Sequence, residues 1–346
     1  MYNLVVKNFG VLKDIDIELN KTNLFIGDNG SGKSILAKLI TIMTSYDSYS
    51  NNLLDEFIKF DIDFIEANTF IQFTDKDTTI ITIKDKKNYF GDKTLRSFYN
   101  PDNIDINTLL PKTFISQYIP AERNLISLLN RSIFSLVTAN IPLPRNLMTF
   151  AGEYEKAKNS IKTLDILNMK YLSKNGQDRV YYNEFNYLPL ENSSSGIQTA
   201  LPLCLTLKYF KEQHYHNVVI EEPEQNLYPK SQIDTIKYII ENSYDNLYLM
   251  THSPYVLSIF NILLFAYKAS STNDTLKEKI STIIPKQQQI NPKEFSAYII
   301  ENGISKNIKG KTTGMIQENA IDEIGDMIDD EFSELMEIYS KFKNDN

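Results

Sequence analysis

The sequence is poor in cysteine and in long apolar runs, and each shortage excludes a class of protein. Cys204 is the single cysteine among 346 residues, so no disulfide can form within the chain, which suits a reducing compartment. The longest apolar stretch, from Val256 to Tyr267, is too short and too polar to cross a bilayer as a helix. We also expect no signal peptide, because Lys7 and the turn residues Asn8–Gly10 interrupt the first apolar run. Together these features predict a cytoplasmic protein that has no membrane partner.

Positive charge is also scarce. The chain has 36 Lys and Arg residues against 44 Asp and Glu residues, which gives a formal net charge of −8. Non-specific coating of DNA depends on an excess of basic side chains. The composition therefore argues against that mode of binding, although DNA binding in a local basic groove stays possible. The region 46–189 also lacks a sustained heptad pattern, which excludes a long coiled-coil arm.

The clearest motif is the glycine-rich stretch GDNGSGKS, Gly27–Ser34, which has the G-x-x-x-x-G-K-S spacing of a phosphate-binding loop. The apolar run before it predicts a strand, and apolar residues at helical spacing after it predict a helix. At such a junction, backbone N–H groups converge on phosphates, the lysine reaches the β- and γ-phosphates, and the last serine binds Mg²⁺. The predicted binding residues are Asn29, Gly30, Ser31, Gly32, Lys33 and Ser34, with Ser34 as the metal ligand.

A second motif, VVIEEPEQNLYP, places two carboxylates at the end of a short buried strand. We predict that Glu221 supports the metal and that Glu222 polarises the attacking water as a general base. A third motif, NLYLMTHS, delivers His252 at the end of another apolar strand. We predict that this histidine contacts the γ-phosphate and shares the catalytic role with Glu222.

A fourth motif, ENSSSGIQ, is a polar cluster that opens a helix. Serine hydroxyls and backbone amides at a helix N-terminus form an anion site. Because the chain already has a phosphate loop, a second such helix makes sense if it serves the nucleotide of a facing subunit. We assign this contact to Ser195 and Gly196 and leave open which serine reaches the nucleotide.

The pattern of helices and strands predicts one nucleotide-binding domain that is split by an insertion. Residues 1–45 and 190–310 alternate strands and helices, whereas 46–189 reads as an inserted lid or partner-binding region. Within the insertion, the stretch Gly152–Leu172 is predicted to be helical. The last segment, 311–346, predicts an acidic helix that is either a solvated surface element or a docking surface for a basic partner.

These four motifs, in this order, resemble the ABC-type ATPase superfamily. Together with the opening VKNFGVLKDIDIEL, they are similar to its RecF/SMC/OLD-like group, and within it to small AAA family ATPases related to OLD proteins. The resemblance covers about residues 1–45 and 190–260. It implies an α/β P-loop NTPase fold, with an ABC/SMC-like ATPase head, a mixed sheet flanked by helices and an α+β insertion. It also implies that the chain binds ATP with Mg²⁺ and hydrolyses ATP.

The resemblance further implies a homodimer. Heads of this class pair head to tail across two ATP molecules, so that the signature serines of one chain face the ATP held by the other. On this pattern Ser195 would lie over the partner's γ-phosphate, and Asn226 and Leu227 would lie in the segment that crosses the interface. The signature of transporters is leucine-serine-glycine-glycine-glutamine, whereas this chain has SSSGIQ.

Three further positions take their expected roles from the resemblance. Gln117 would sense Mg²⁺ and contact the nucleotide, and Arg123 would contact phosphate or a partner. Glu221 stands where the superfamily usually has an aspartate. After His252 the chain has no Asp-x-Asp pair, so we expect no Toprim nuclease domain of the kind found in OLD nucleases.

The resemblance leaves three kinds of function to compare. The favoured one is an ATPase whose ATP-dependent dimer controls a separate effector, as in bacterial phage-defence or toxin systems. The alternative is a DNA-repair ATPase similar to RecF, which a basic stripe on the insertion would favour. A transporter ATPase fits less well, because the insertion is too long for the usual helical domain.

Overall fold

The computed structural model describes residues 2–45, 53–76, 78–90, 115–129, 142–174, 176–317 and 335. The strands are β1 Tyr2–Phe9, β2 Leu12–Leu19, β3 Thr22–Ile26, β4 Phe70–Asp75, β5 Thr78–Lys84, β6 Lys87–Phe90, β7 Ser116–Ile119, β8 Thr163–Ile166, β9 Met169–Lys174, β10 Gln177–Tyr181, β11 Tyr187–Pro189, β12 Asn217–Glu221, β13 Asn246–Thr251, β14 Phe295–Glu301 and β15 Ile304–Asn307. The helices are α1 Lys33–Met43, α2 Leu53–Lys59, α3 Asn124–Leu129, α4 Arg145–Ser160, α5 Ser195–Glu212, α6 Pro229–Asn242, α7 Pro254–Ser270 and α8 Asp274–Ser281.

A large mixed sheet organises the part of the chain that the structure describes. Its strand order is β6-β5-β4-β1-β2-β15-β14-β3-β13-β12-β7. The run β14-β3-β13-β12-β7 is parallel, whereas β6-β5-β4-β1-β2 is antiparallel. Because the carboxyl ends of parallel strands meet at one edge, the residues that follow β3, β12 and β13 lie together there. This arrangement confirms the predicted α/β fold with a mixed sheet flanked by helices.

Two apolar cores cover the two faces of the parallel strands. Strand β12 shows this directly: Val218 and Ile220 belong to one core and Val219 belongs to the other. A strand that is buried on both faces reads as a continuous apolar run, which is why VVI was recognisable in the sequence. One core encloses α1 between the parallel and antiparallel strands, and the other contains α5, α6 and α7.

The residues of the predicted insertion contribute to several parts of this fold. Strands β4, β5 and β6 extend the antiparallel side of the main sheet, and β7 forms the opposite edge beside β12. Strands β8 to β11 form a separate four-stranded sheet, and side chains of β8, β9 and β10 join the core that contains α5. Of the predicted C-terminal helix, residues 311–317 form turns and an isolated bridge, and the remainder except Leu335 lies outside the described residues.

The prediction of a helix over Gly152–Leu172 is wrong for its second half. Helix α4 ends at Ser160, and the hairpin β8–β9 follows where Gly152–Leu172 was expected to stay helical. The turn residues Leu167 and Asn168 have φ values of 47° and 61°. Two consecutive positive φ values are typical of the type I′ turn that closes a two-residue hairpin. Apolar spacing alone did not reveal this turn, because leucine is an unusual residue for it. No helix in the described ranges combines the length and apolar character that crossing a bilayer requires.

Candidate nucleotide-binding site

The loop between β3 and α1 has the backbone geometry of a phosphate-binding loop. Gly30 and Gly32 have φ values of 78° and 106°, which residues other than glycine rarely adopt. A Cβ atom on Gly32 would lie 2.6 Å from Leu12 Cδ2, and one on Gly27 would collide with the Ile300 carbonyl oxygen. The Ile300 backbone therefore leaves room only for glycine at position 27, and the positive φ together with the Leu12 side chain favours glycine at position 32.

Lys33 is held inside this loop. Its Nζ donates hydrogen bonds to the carbonyl oxygens of Gly27 at 2.6 Å and Asp28 at 2.7 Å, and to Ser31 Oγ at 3.2 Å. Burial lowers the pKa of Lys33 to about 8, while the charges of Glu222 and Asp28 act in the opposite direction. A phosphate beside this ammonium group would favour its charged form, as the predicted role requires.

Glu221 connects the end of β12 to the start of α1. Ser34 Oγ donates to Glu221 Oε2 at 2.9 Å, and the Tyr118 hydroxyl donates to Oε1 at 2.7 Å. Burial raises the pKa of Glu221, and these two hydrogen bonds oppose that shift. Because the Ser34 hydroxyl donates its hydrogen bond to Glu221, the lone pairs of Ser34 Oγ remain available to a cation. Oxygen donors of this kind fit Mg²⁺.

No group of three His, Cys, Asp or Glu side chains in the described ranges forms a metal site by itself. This finding is compatible with Mg²⁺, which is usually held by one or two protein groups, substrate phosphates and water.

Glu222 and His252 meet at the same edge of the sheet. His252 Nε2 lies 3.4 Å from Glu222 Oε1, and the two side chains are 31% and 32% exposed. The hydrogen bond with His252 is the main cause that lowers the pKa of Glu222. Glu222 has a φ of 44°, and its backbone N–H donates to the Met250 carbonyl at 2.8 Å. The structure thus presents an ionised carboxylate with access to solvent beside a histidine.

Glu224 is a site residue that the sequence analysis missed. Its Oε1 accepts hydrogen bonds from the Thr251 hydroxyl at 2.6 Å and the His252 backbone N–H at 2.8 Å. The carboxylate is buried, and Oε2 has no hydrogen-bond partner among the described residues. Glu224 therefore fixes the backbone on which His252 stands. In the sequence, Glu224 could have been recognised as the third acidic residue of the stretch EEPE that follows the buried run of β12.

Arg123 does not take the role that the resemblance suggested. It is fully buried and donates to four backbone carbonyls, so no free N–H fork reaches a phosphate or a partner. Its Nη atoms donate to the backbone carbonyl oxygens of Glu221 at 2.7 Å and Glu222 at 2.6 Å, and its Nε donates to the backbone carbonyl oxygen of Thr199 in α5 at 3.2 Å. Burial lowers the pKa of Arg123 to about 10, which keeps the group charged at neutral pH. Arg123 thus connects the backbone at the C-terminal end of β12 to helix α5.

The Arg123→Lys substitution tests this structural role. One ammonium group cannot replace a planar fork that bonds four carbonyls, and each buried acceptor left unpaired is destabilising. We expect the free energy of unfolding to fall by about 2–4 kcal/mol, measured by urea denaturation. Arg145→Lys, at the exposed start of α4, serves as the control and should change it by less than about 0.5 kcal/mol. Equal stability of the two variants would contradict the assigned role.

The serine cluster lies at the N-terminus of α5, as expected. Ser194 is the N-cap residue and Ser195 is the first helical residue, and both side chains are exposed. A Cβ atom on Gly196 would lie 2.9 Å from the Asn226 carbonyl oxygen. The Asn226 side chain donates to Thr199 Oγ1 at 3.1 Å. The segment after β12 therefore packs against the start of α5 and leaves its serines open to solvent.

Gln117 lies apart from the Ser34–Glu221 pair. It pairs with Val218 within the sheet, whereas Glu221 ends β12. Gln117 also lines a cavity of about 210 Å³ together with Thr41 and Ser45, which lie at the far end of α1 from the phosphate loop.

Comparisons with known proteins address the family and the fold. The AAA ATPase domain family matches residues 1–124 and 124–257. The SMC head domain from Thermotoga maritima is 12% identical, with a TM-score of 0.46, and the alignment covers 88% of this chain and 97% of that chain. CbiO1 from Clostridium perfringens, described as part of the ABC transporter complex CbiONQ, is 11% identical with a TM-score of 0.36, and the alignment covers 88% of this chain and 87% of that chain. No curated protein matches the sequence.

Proposed function

This chain belongs to the AAA ATPase domain family, and from that membership and the geometry of the site we propose that it binds ATP with Mg²⁺ and hydrolyses it. One observation carries the proposal: the loop with Lys33 and Ser34, the carboxylates Glu221 and Glu222, and His252 converge at one edge of the sheet. Phosphoryl transfer needs this combination of a phosphate cradle, a metal-supporting carboxylate and a base for water.

Each residue then has a defined task in hydrolysis. The loop amides and Lys33 bind the β- and γ-phosphates, and Ser34 and Glu221 hold Mg²⁺, which offsets phosphate charge when bound. Glu222 orients a water molecule and accepts its proton, because its carboxylate is ionised and open to solvent. His252 lies beside Glu222 and contacts the γ-phosphate. Glu224 and Arg123 hold the backbone that carries these groups.

We further propose that ATP closes a head-to-tail homodimer. The exposed serines at the start of the 18-residue helix α5 offer hydroxyl and amide donors to an anion outside the chain. A nucleotide held in the partner's phosphate loop is such an anion. By resemblance, the closed dimer would control a separate effector in a phage-defence or toxin system, and hydrolysis would release it.

A mixing experiment tests the trans role of Ser195. Ser195→Arg places a bulky side chain at the start of α5, so it should block ATP-driven dimer closure and lower hydrolysis by about tenfold or more. Binding of ATP to the monomer should stay close to normal. Lys33→Ala should be inactive for a different reason, because it damages the phosphate loop. In a mixed dimer of the two variants, one composite site combines both lesions and the other site is intact.

We therefore expect hydrolysis to rise above that of either variant alone when the two impaired variants are mixed, provided that one working site suffices for turnover. Light scattering with ATP follows dimer formation in the same samples. Ser271→Arg, on an exposed serine after α7, is the matched control and should behave as wild type. Wild-type hydrolysis by Ser195→Arg alone would rule out the trans contact.

A further inference from the structure

The buried Tyr118 hydroxyl has two side-chain hydrogen-bond partners, one of which is the metal-supporting carboxylate Glu221. It donates to Glu221 Oε1 at 2.7 Å, and Asn146 of α4 forms a side-chain hydrogen bond with it. The tyrosine is only 8% exposed, and its ring packs edge-on against Phe60 with centroids 5.7 Å apart. The side chain of Tyr118 is therefore fixed by packing as well as by hydrogen bonds.

The direction of these hydrogen bonds follows from the available donors. The Asn146 side-chain oxygen Oδ1 accepts the Leu147 backbone N–H at 3.0 Å, and because the single Tyr118 proton goes to Glu221, the Asn146 side-chain NH₂ is the group that donates to the tyrosine oxygen. An ionised carboxylate can only accept, so the hydroxyl directs its proton to Glu221.

The strand that carries Tyr118 is also anchored to α1. Ser116 Oγ donates to the Thr44 carbonyl at 2.8 Å, just past the end of α1. At the other end of the same helix, Ser34 donates to Glu221 Oε2 at 2.9 Å. Strand β7 and helix α1 thus hold the Glu221 carboxylate from both sides, with one oxygen assigned to each.

We propose that Tyr118, oriented by Asn146, is a positioning residue for Mg²⁺: it occupies Glu221 Oε1, so that Oε2 faces Ser34 and the cation. The inference rests on the proposed function, because it presupposes that Ser34 and Glu221 hold Mg²⁺. Without the Tyr118 hydroxyl, Oε1 loses its donor, and the carboxylate is free to rotate away from Ser34. In the described part of the chain, the hydrogen bonds of the Tyr118 hydroxyl go to Glu221 and Asn146 and not to the phosphate loop, so we expect its effect to be confined to the metal.

The experiment measures binding of a fluorescent ATP analogue to Tyr118→Phe in EDTA and over a range of Mg²⁺ concentrations. In EDTA, the affinity should equal that of wild type. With Mg²⁺, we expect the half-saturating metal concentration to rise roughly 10- to 100-fold, the size expected for a lost hydrogen bond to a charged group. Tyr171→Phe is the matched control, because it removes a hydroxyl bonded at 2.8 Å to the buried carboxylate of Asp178, away from the phosphate loop.

The outcomes distinguish a failure of the Tyr118 positioning role from a failure of the metal assignment of Glu221. An unchanged Mg²⁺ response in folded Tyr118→Phe overturns the positioning role, and so does an equal shift in Tyr171→Phe, which would reveal a general loss of stability. If Tyr118→Phe does not fold, Asn146→Ala on the half-buried face of α4 decides: a smaller shift in the same direction supports the proposal, and no shift overturns it. Glu221→Ala tests the premise separately, since an unchanged Mg²⁺ response there would refute the metal assignment itself.

Discussion

Lys33→Ala is expected to abolish ATP hydrolysis and to weaken ATP binding on the order of 10²- to 10³-fold. The lysine ammonium is buried in the loop, where its charge is poorly screened and its interaction with phosphate is strong. Alanine also removes the hydrogen bonds that hold the carbonyls of Gly27 and Asp28. The measurements are phosphate release and binding of a fluorescent ATP analogue, made on protein whose folding has been checked by circular dichroism.

The control for this loss is Lys21→Ala. Lys21 is exposed and precedes β3, so it lies at the opposite end of that strand from the phosphate loop. The variant has the same change in net charge, and it should bind and hydrolyse ATP as wild type does. Hydrolysis at the wild-type rate by folded Lys33→Ala would show that the assignment of the phosphate loop is incorrect.

The parts of the site that were predictable from sequence are those encoded in a few consecutive residues. The loop Gly27–Ser34 needs only its own glycines, a strand before it and a helix after it. The strands that end in Glu221 and Thr251 are buried on both faces, so they appear as short apolar runs bounded by polar residues. Because all of these strands are parallel, placing their ends together required no knowledge of side-chain contacts.

The supporting contacts could not be predicted in this way, because they join residues far apart in the chain. Tyr118 and Glu221 are separated by 103 positions, and Arg123 and Glu221 by 98. Tyr118 and Arg123 both belong to the segment around β7. The position of this segment beside β12 depends on the fold of the whole chain between these two strands. An arginine in a sequence is usually a surface residue, and nothing local distinguishes one that is fully buried.

The distinction between a buried and a solvent-accessible carboxylate also emerged only in three dimensions. Glu221 and Glu222 are neighbours in sequence, yet the positive φ of Glu222 turns it out of the strand. Glu221 is buried against Ser34 and Tyr118, whereas Glu222 stands beside His252 with access to water. Opposite pKa shifts follow, since burial raises the pKa of Glu221 and the bond with His252 lowers that of Glu222. Different environments for two carboxylates are the usual basis for different chemical roles.

This division leads to the second large effect. Glu222→Gln should keep ATP binding and lower the rate of hydrolysis on the order of 10²- to 10⁴-fold, the range for loss of a general base. Glutamine preserves the shape of the side chain and can still bond His252, but it cannot accept a proton from water. Because ATP then persists in the site, light scattering should show more dimer with ATP than wild type shows.

Glu278→Gln is the matched control for this variant, because Glu278 is an exposed acid on α8, and the change in charge and shape is the same. It should hydrolyse ATP normally. A Glu222→Gln protein that fails to bind ATP in the presence of Mg²⁺ would reverse the assignment and make Glu222 the main metal residue. Wild-type turnover would instead remove Glu222 from the reaction, and the base would have to be sought at His252. The positive φ of Glu222 would then need another explanation, since a non-glycine residue rarely adopts it without a functional or structural reason.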